Sequence, residues 1–154
     1  MRIRRTRTKD AAAIARLHRT TIQSINSRDY PPQDIAAWSS GISAKKERKV
    51  FESHHRYVAV VGRKIVGFCD ISKKEPATSW GLYVHREWIR KGVGSKLYAK
   101  IEEQARKQGI QKLKVTSTVT ARPFYEAKGF KVIRKSRYTI RKRKLSVFIM
   151  EKNI

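Results

Sequence analysis

Hydrophobic positions in the N-terminal third of the chain recur every three or four residues. A short strand is predicted over residues 3–6, and Thr8 or Asp10 can cap the helix that follows it. The residues on the apolar face of this helix are Ile14, Leu17, Thr21, Ile22 and Ile25. A second helix begins at the Pro31 and Pro32 pair and ends near Gly41, since proline suits a first helical turn. The charged stretch at residues 45–49 then predicts only a short helical turn around Phe51.

The middle of the chain changes to the composition of strands. Residues 57–61 and 65–71 are rich in Val, Ile and Phe and flank Gly62, which predicts a hairpin. Another strand, the fourth in chain order, covers residues 80–84. Apolar residues spaced by four then predict a long helix over residues 92–108, which Gly109 ends.

The C-terminal third contains a strand at residues 112–117, a short helix at 121–128 and two strands at 130–140 and 145–150. A basic turn at 141–144 joins the last two strands. The order of elements predicts an α/β (α+β) fold, a mixed central sheet in one layer with about six to seven strands and about four helices on its faces. A length of 154 residues suits a single domain over residues 1–154.

Composition narrows the class of protein. Apolar residues make up 40% of the chain, enough for one core, but no apolar stretch is long enough to span a bilayer. The basic N-terminus lacks the apolar run of a signal peptide, so a cytoplasmic protein without a membrane partner is expected. Cys69 is the only cysteine, which excludes an internal disulfide and a cysteine-rich zinc site and favours a small buried side chain.

Charge is the unusual bulk property. The 37 Lys and Arg residues against 12 Asp and Glu give a formal net charge of +25. Such a surface attracts polyanions, and the candidates are nucleic acid, a phosphorylated cofactor and an acidic protein surface. Because the cations run through nearly every element, a generally basic surface without a dedicated partner is the competing interpretation.

The segment Arg90-Lys91-Gly92-Val93-Gly94-Ser95 joins the predicted strand at residues 80–84 to the long helix. Its two glycines let the backbone approach an anion, and the helix N-terminus offers unpaired N–H groups and partial positive charge. Arg90 and Lys91 add cations. The P-loop pattern is absent, and the dinucleotide-binding pattern is incomplete because Leu97 replaces its third glycine. This loop is therefore a candidate pyrophosphate site.

Two blocks of sequence resemble the GNAT family of N-acetyltransferases. Residues 82–94, which read Leu-Tyr-Val-His-Arg-Glu-Trp-Ile-Arg-Lys-Gly-Val-Gly, resemble that family's acetyl-CoA loop, except that Ile89 occupies its Gln/Arg position. Residues 121–130 resemble its Ala-x-x-Phe-Tyr-Glu-x-x-Gly-Phe segment. Residues 10–18 are similar to the first helix of many members, and residues 116–125 resemble a bacterial branch labelled YafP-like. The resemblance covers most of the chain and implies a GNAT fold.

The resemblance also implies which residues bind acetyl-CoA and act on it. The implied cofactor-binding residues are Leu82, Tyr83, Val84, Arg90, Lys91, Gly92, Val93, Gly94, Ser95, Thr118 and Phe124. The strand that contains Leu82, Tyr83 and Val84 would polarise the thioester carbonyl through a backbone N–H. Thr118 stands where many members have an asparagine for the pantetheine arm. Tyr125 takes the role of proton donor to the leaving thiolate, and the competing interpretation is an aromatic residue of the core.

No general base is assigned from the sequence. Thr78 stands near the position where the family often has a glutamate, and His18 and Glu75 belong to no motif. His54 and His55 lack the further ligands of a zinc site, so no metal is expected.

Two hypotheses of different class follow. One is transfer of an acetyl group from acetyl-CoA to an amine of a small molecule or peptide. Trp38, Trp80 and Trp88 are candidates for lining its acceptor pocket. The other is a non-catalytic module with the same fold that binds CoA or nucleic acid. Dimers are common in the family, which makes a homodimer an expectation.

Overall fold

Seven strands in the computed structural model, which describes residues 1–154, form two sheets. The first sheet has the order β1-β2-β3-β4, with β1 Arg2–Arg5, β2 His54–Val61, β3 Lys64–Ser72 and β4 Trp80–Val84. The second has the order β5-β7-β6, with β5 Lys112–Thr118, β6 Lys131–Ile140 and β7 Arg143–Asn153. Every hydrogen-bonded strand pair is antiparallel. The number of strands agrees with the prediction, but the single layer is divided between β4 and β5.

Five helices pack on these sheets, whereas the sequence predicted about four. They are α1 Ala11–Ser24, α2 Pro32–Ser40, α3 Ala44–Ser53, α4 Val93–Lys107 and α5 Arg122–Ala127. The stretch predicted as a short turn around Phe51 is the whole of α3. Ser43 caps it by accepting a hydrogen bond from the Lys46 N–H at 3.3 Å. The periodicity of α3 is hidden in the sequence because its buried position is a carboxylate, Glu47.

Helices α1 and α4 cover opposite faces of the first sheet. On one face, α1 buries Ile14 and Leu17 against Phe68. On the other, α4 approaches the sheet so closely that a Cβ on Gly67 would lie 2.9 Å from the Leu97 Cδ1. The lone thiol of Cys69 lies on this second face, buried as expected, and donates to the Leu97 carbonyl at 3.3 Å.

Strands β4 and β5 are joined only where they begin. The Lys114 N–H donates to the Ala77 carbonyl at 2.7 Å, and the Trp80 indole N–H donates to the Lys114 carbonyl at 3.0 Å. Beyond these contacts the two strands share no ladder, since they belong to different sheets. We refer to the space between their unpaired portions as the β4–β5 gap.

The helices are too short or too polar to cross a bilayer, and the longest, α4, has 15 residues.

Candidate active site

The loop before α4 presents a row of backbone donors. Gly92 has a φ of +77° and Arg90 a φ of +59°, a left-handed conformation that is uncommon for a side chain other than glycine. Together they turn the chain so that α4 begins at Val93. The five N–H groups from Lys91 to Ser95 donate to no acceptor within the chain. Five unpaired donors beside a helix N-terminus form a cradle for an anion.

Helix α5 packs directly on this loop. A Cβ on Gly94 would lie 3.1 Å from the Phe124 Cε2, so only glycine lets the ring approach the first turn of α4. Lys128 donates from its Nζ to the Ser95 Oγ at 2.8 Å. Lys128 was not among the predicted cofactor residues because it occupies a variable position of the Ala-x-x-Phe-Tyr-Glu-x-x-Gly-Phe segment. Its ammonium nevertheless lies at the cradle, where it adds to Arg90 and Lys91.

A pyrophosphate group suits the donor set of this cradle. The backbone supplies N–H groups, which match phosphate oxygens, and the Arg90, Lys91 and Lys128 side chains supply positive charge. Nothing lies within 4 Å of a Cβ built on Gly92, so the loop is open at this residue. CoA, the group implied by the resemblance, carries such a pyrophosphate, and the residues present fit it.

The three predicted residues of β4 point to different sides of the sheet. Leu82 and Val84 pack toward α4, while Tyr83 packs toward α1, with its ring 4.2 Å from His18 and 5.2 Å from Phe68 between centroids. One backbone edge of β4 pairs with β3, and the other faces the β4–β5 gap. This second edge is free to pair with an extended ligand.

Tyr125 lies in an aromatic cluster on the α4 side of the gap. Its ring is 5.5 Å from the rings of Trp80 and Phe130, and it is buried. The hydroxyl makes no hydrogen bond within the chain. Burial raises the pKa of the Tyr125 phenol above its usual range, and the neighbouring Tyr83 and Cys69 add to this effect. Tyr125 is therefore a protonated phenol with its proton uncommitted, as an acid requires.

Thr118, at the end of β5, is engaged by the backbone that leads into α5. Its Oγ1 accepts a hydrogen bond from the Ala121 N–H at 3.1 Å. The hydroxyl proton remains available to a ligand, so the predicted contact with a pantetheine arm stays a prediction.

A buried polar cluster lies on the opposite face of β4. Arg56 of β2 pairs with Glu47 of α3 and, through Nη2 at 2.6 Å, with the Asp70 Oδ2 of β3. The His18 Nδ1 lies 2.9 Å from the Glu47 carboxylate. Burial alone would raise the pKa of Glu47, but the hydrogen bond from His18 and the charge of Arg56 outweigh it and lower that pKa. The cluster contains two carboxylates and one guanidinium.

This cluster borders a pocket of about 240 Å³, which is also lined by Trp80, Gly81 and Tyr83. Both hydrogen bonds of Arg56 to Asp70 go to Oδ2, so Oδ1 makes none within the chain. A Cβ on Gly81 would lie 3.6 Å from this free Oδ1. Glycine at position 81 therefore leaves the carboxylate oxygen open to the pocket.

Asp70 was missed by sequence reasoning because no motif contains it. It is brought to the site by strand register, since Asp70 pairs directly with Gly81 of β4. Of the three tryptophans predicted as pocket residues, Trp80 lines this pocket, whereas Trp38 packs on Tyr30. His54 also lines the pocket, and its ring contacts the Ser53 Oγ at 2.8 Å.

The chain is similar to known acetyltransferases in sequence and in structure. The model of an acetyltransferase (GNAT) domain matches residues 26–154. The uncharacterized N-acetyltransferase YafP of Escherichia coli is 31% identical over 115 residues, which are 75% of this chain and 71% of that protein.

Two solved structures share the fold at lower identity. A GCN5-related N-acetyltransferase from Rhodopseudomonas palustris aligns with a TM-score of 0.91 at 23% identity, covering 99% of this chain and 95% of the other. The PaiA N-acetyltransferase of Thermoplasma acidophilum, crystallised with coenzyme A, aligns with a TM-score of 0.78 at 21% identity over 99% and 98% of the two chains. With its gap between β4 and β5 and its glycine-containing loop before α4, the chain belongs to the GNAT family of acetyltransferases.

Proposed function

We propose that this protein is an acetyl-CoA-dependent N-acetyltransferase that transfers an acetyl group to an amine of a small molecule or a protein by direct attack on the thioester. The observation that carries the proposal is the position of Tyr125. Its uncommitted phenol contacts Trp80 of β4, beside the gap that ends at the anion cradle. A module that only bound CoA would have no use for a buried proton donor at this place.

Acetyl-CoA would supply the activated acetyl group. The cradle from Lys91 to Ser95 would hold its pyrophosphate, with Arg90 and Lys128 at the sides. The free edge of β4 at Leu82, Tyr83 and Val84 would align the extended arm along the gap, and its N–H groups would polarise the carbonyl. The structural neighbour from Thermoplasma acidophilum, which holds coenzyme A on the same fold, supports this assignment.

The acceptor amine would enter through the 240 Å³ pocket. The free Oδ1 of Asp70 would bind the cationic amine and accept a proton from it, because an amine must be neutral to attack. Trp80 and Tyr83 would face the cation with their rings. The phenol of Tyr125 would hold the proton that a departing thiolate needs.

Two measurements test the proposal. Titration calorimetry with acetyl-CoA should show binding at a single site, and release of free thiol should depend on an added primary amine. A panel of primary amines, aminoglycosides and peptides would identify the acceptor class. Acetyl-CoA binding without any amine-dependent thiol release over the whole panel would favour the non-catalytic module. Absence of binding at millimolar acetyl-CoA would reject the acetyltransferase and the CoA-binding module, and would leave the module that binds nucleic acid.

The basic surface supports a second proposal, a non-specific contact with nucleic acid. A formal net charge of +25 is far above what one cofactor needs, and it would be balanced by a phosphate backbone. A homodimer and a cytoplasmic location stay predictions.

A further inference from the structure

A second concave surface lies on the side of the first sheet that faces α1. It is a groove of about 770 Å³ between β1, the start of α1 and the turn that joins β2 to β3. Apolar side chains such as Leu17, Val60 and Val66 line it from below. None of the cradle residues 90–95 borders it. We refer to this surface as the basic groove.

Positive charge in the basic groove comes from three separate elements. Strand β1 and the residues that follow it contribute Arg2, Arg4, Arg7 and Lys9. Helix α1 contributes Arg16, and the β2–β3 hairpin contributes Arg63 from its turn and Lys64 from the start of β3. The opposing carboxylates are Asp10 and Glu87. The fold thus gathers around one groove cations that are far apart in the sequence.

Six of these seven cations have no ion-pair partner. Only Arg4 is paired, through its Nη1, with the Asp10 Oδ2 at 2.7 Å. The Arg7 backbone N–H donates to the same oxygen at 2.7 Å, so the acceptors of Asp10 are already engaged. The remaining side chains are exposed. Like charges held this close repel one another, and an anion bound among them would relieve that repulsion.

We propose that the basic groove binds the phosphate backbone of a nucleic-acid strand. This inference rests on the proposed nucleic-acid contact and assigns it to one place, separate from the acetyl-transfer site. A single phosphate group would engage only a few of the free cations, whereas a strand presents charges in a row along β1 and α1. Five of the seven cations are arginines, whose guanidinium groups hold phosphate by paired hydrogen bonds.

The contact would be largely independent of base sequence. The groove offers cations and apolar side chains but few polar groups that could read base edges, and Trp88 is its one large aromatic residue. Affinity would therefore fall steeply with salt, with each neutralised phosphate of a single strand adding about −0.7 to the slope of log K against log salt concentration.

Two triple variants of equal charge test this assignment on the full chain. The groove variant carries Arg7→Gln, Arg16→Gln and Arg63→Gln. The control variant carries Arg28→Gln, Arg48→Gln and Arg134→Gln, exposed arginines without ion pairs that lie outside the groove. Fluorescence anisotropy would measure the binding of a labelled single strand of about 12 nucleotides, as DNA and as RNA. The salt concentration would be varied from about 50 to about 300 mM, the range over which phosphate contacts weaken. A cooperative urea-unfolding transition shows that each variant is folded.

The groove variant should bind on the order of a hundredfold more weakly at low salt, with a slope smaller by roughly 2, while the control variant should lose less than about threefold. Equal losses in the two variants would show a general surface contact and overturn the groove assignment, leaving the proposed contact intact. No binding by the natural chain at low salt would overturn both. Polyglutamate and unlabelled oligonucleotide would also be compared, at equal charge, as competitors of the labelled strand. If the two displaced it equally, the partner would be an acidic polypeptide, and the nucleic-acid assignment would be wrong.

Discussion

The indole N–H of Trp80 donates to the backbone carbonyl of Lys114 at 3.0 Å and so ties the first residue of β4 to the third residue of β5. The same indole ring contacts Tyr125, the proposed acid, and borders the proposed acceptor pocket. One side chain therefore fixes the closed end of the β4–β5 gap and belongs to both sides of the reaction centre.

Replacing Trp80 by phenylalanine should loosen this junction. The variant loses one hydrogen bond and leaves the Lys114 carbonyl without its partner, which should cost about 1 kcal/mol of unfolding free energy and raise the KM for acetyl-CoA. Urea unfolding and steady-state kinetics would measure both effects. Trp38→Phe is the matched control because the Trp38 indole N–H has no partner within the chain. An equal loss in both variants would contradict the role of the hydrogen bond.

Tyr125→Phe should lower kcat by about a hundredfold and leave acetyl-CoA affinity unchanged. Stability should change little, since the Tyr125 hydroxyl makes no hydrogen bond. Because the pKa of Tyr125 is raised, the phenol stays protonated above its ordinary pKa of about 10, so kcat should not decline as the pH rises toward that value. Tyr98→Phe is the control. Its hydroxyl donates to Glu102 at 2.6 Å, so it should lose stability but retain turnover. Full turnover in Tyr125→Phe would remove the acid assignment.

Gly94→Ala should weaken acetyl-CoA binding by displacing α5 from the cradle. The new Cβ would lie 3.1 Å from the Phe124 ring, so that ring and the Lys128 ammonium behind it must shift. We expect a loss of about tenfold in affinity and about 1–3 kcal/mol in stability. Calorimetry would measure the affinity, with the exposed Lys96→Ala on the same helix turn as control. Unchanged affinity would show that the position of α5 does not matter to the cradle.

Glu47→Gln should destabilise the protein by about 2–4 kcal/mol near neutral pH, because it leaves the buried Arg56 with one fewer carboxylate. The pKa of Glu47 is lowered in the folded state. Its stabilising contribution is therefore complete above the ordinary carboxyl pKa of about 4.3 and is lost as the pH falls below it. Urea unfolding of both chains from pH 7 to pH 3 should show the difference shrinking. A difference independent of pH would mean that packing, and not ionisation, is responsible.

Gly81→Ala should raise the KM for the acceptor amine by about tenfold, because the amine would lose one hydrogen bond to a charged group. The added methyl group would stand 3.6 Å from the Asp70 Oδ1 and cover it. Acetyl-CoA affinity should not change, since the added methyl group meets only Asp70 and Tyr83 and leaves the Trp80–Lys114 hydrogen bond and the cradle in place. An unchanged acceptor KM would show that this carboxylate oxygen does not meet the amine.

The order of strands and long helices could be predicted because the local spacing of hydrophobic residues indicates each of them. The spacing of Leu97 and Ile101 predicts α4, and the glycines at 92 and 94 predict the tight loop that precedes it. In both cases a few neighbouring residues determine the local structure.

The features missed by sequence reasoning depend on distant pairings. Glu47 faces inward only because Arg56 and His18 meet it there, so a charged stretch hides a buried helix face. The free Oδ1 of Asp70 reaches the pocket through its register with Gly81. The sheet is divided because β4 and β5 form no ladder with each other, and no local sequence pattern indicates that two strands will fail to pair.

The two sheets are assembled from consecutive, not interleaved, stretches of chain. Strands β1–β4 fall within residues 2–84 and strands β5–β7 within residues 112–153. A cut in the connection after α4, at Gly109, would leave every strand pairing inside one fragment. The fragments would share the packing of α4 on the second sheet and the walls of the gap. A ligand in the gap would touch both pieces and favour their association by mass action, so a split form of this fold would act as a sensor of its own cofactor.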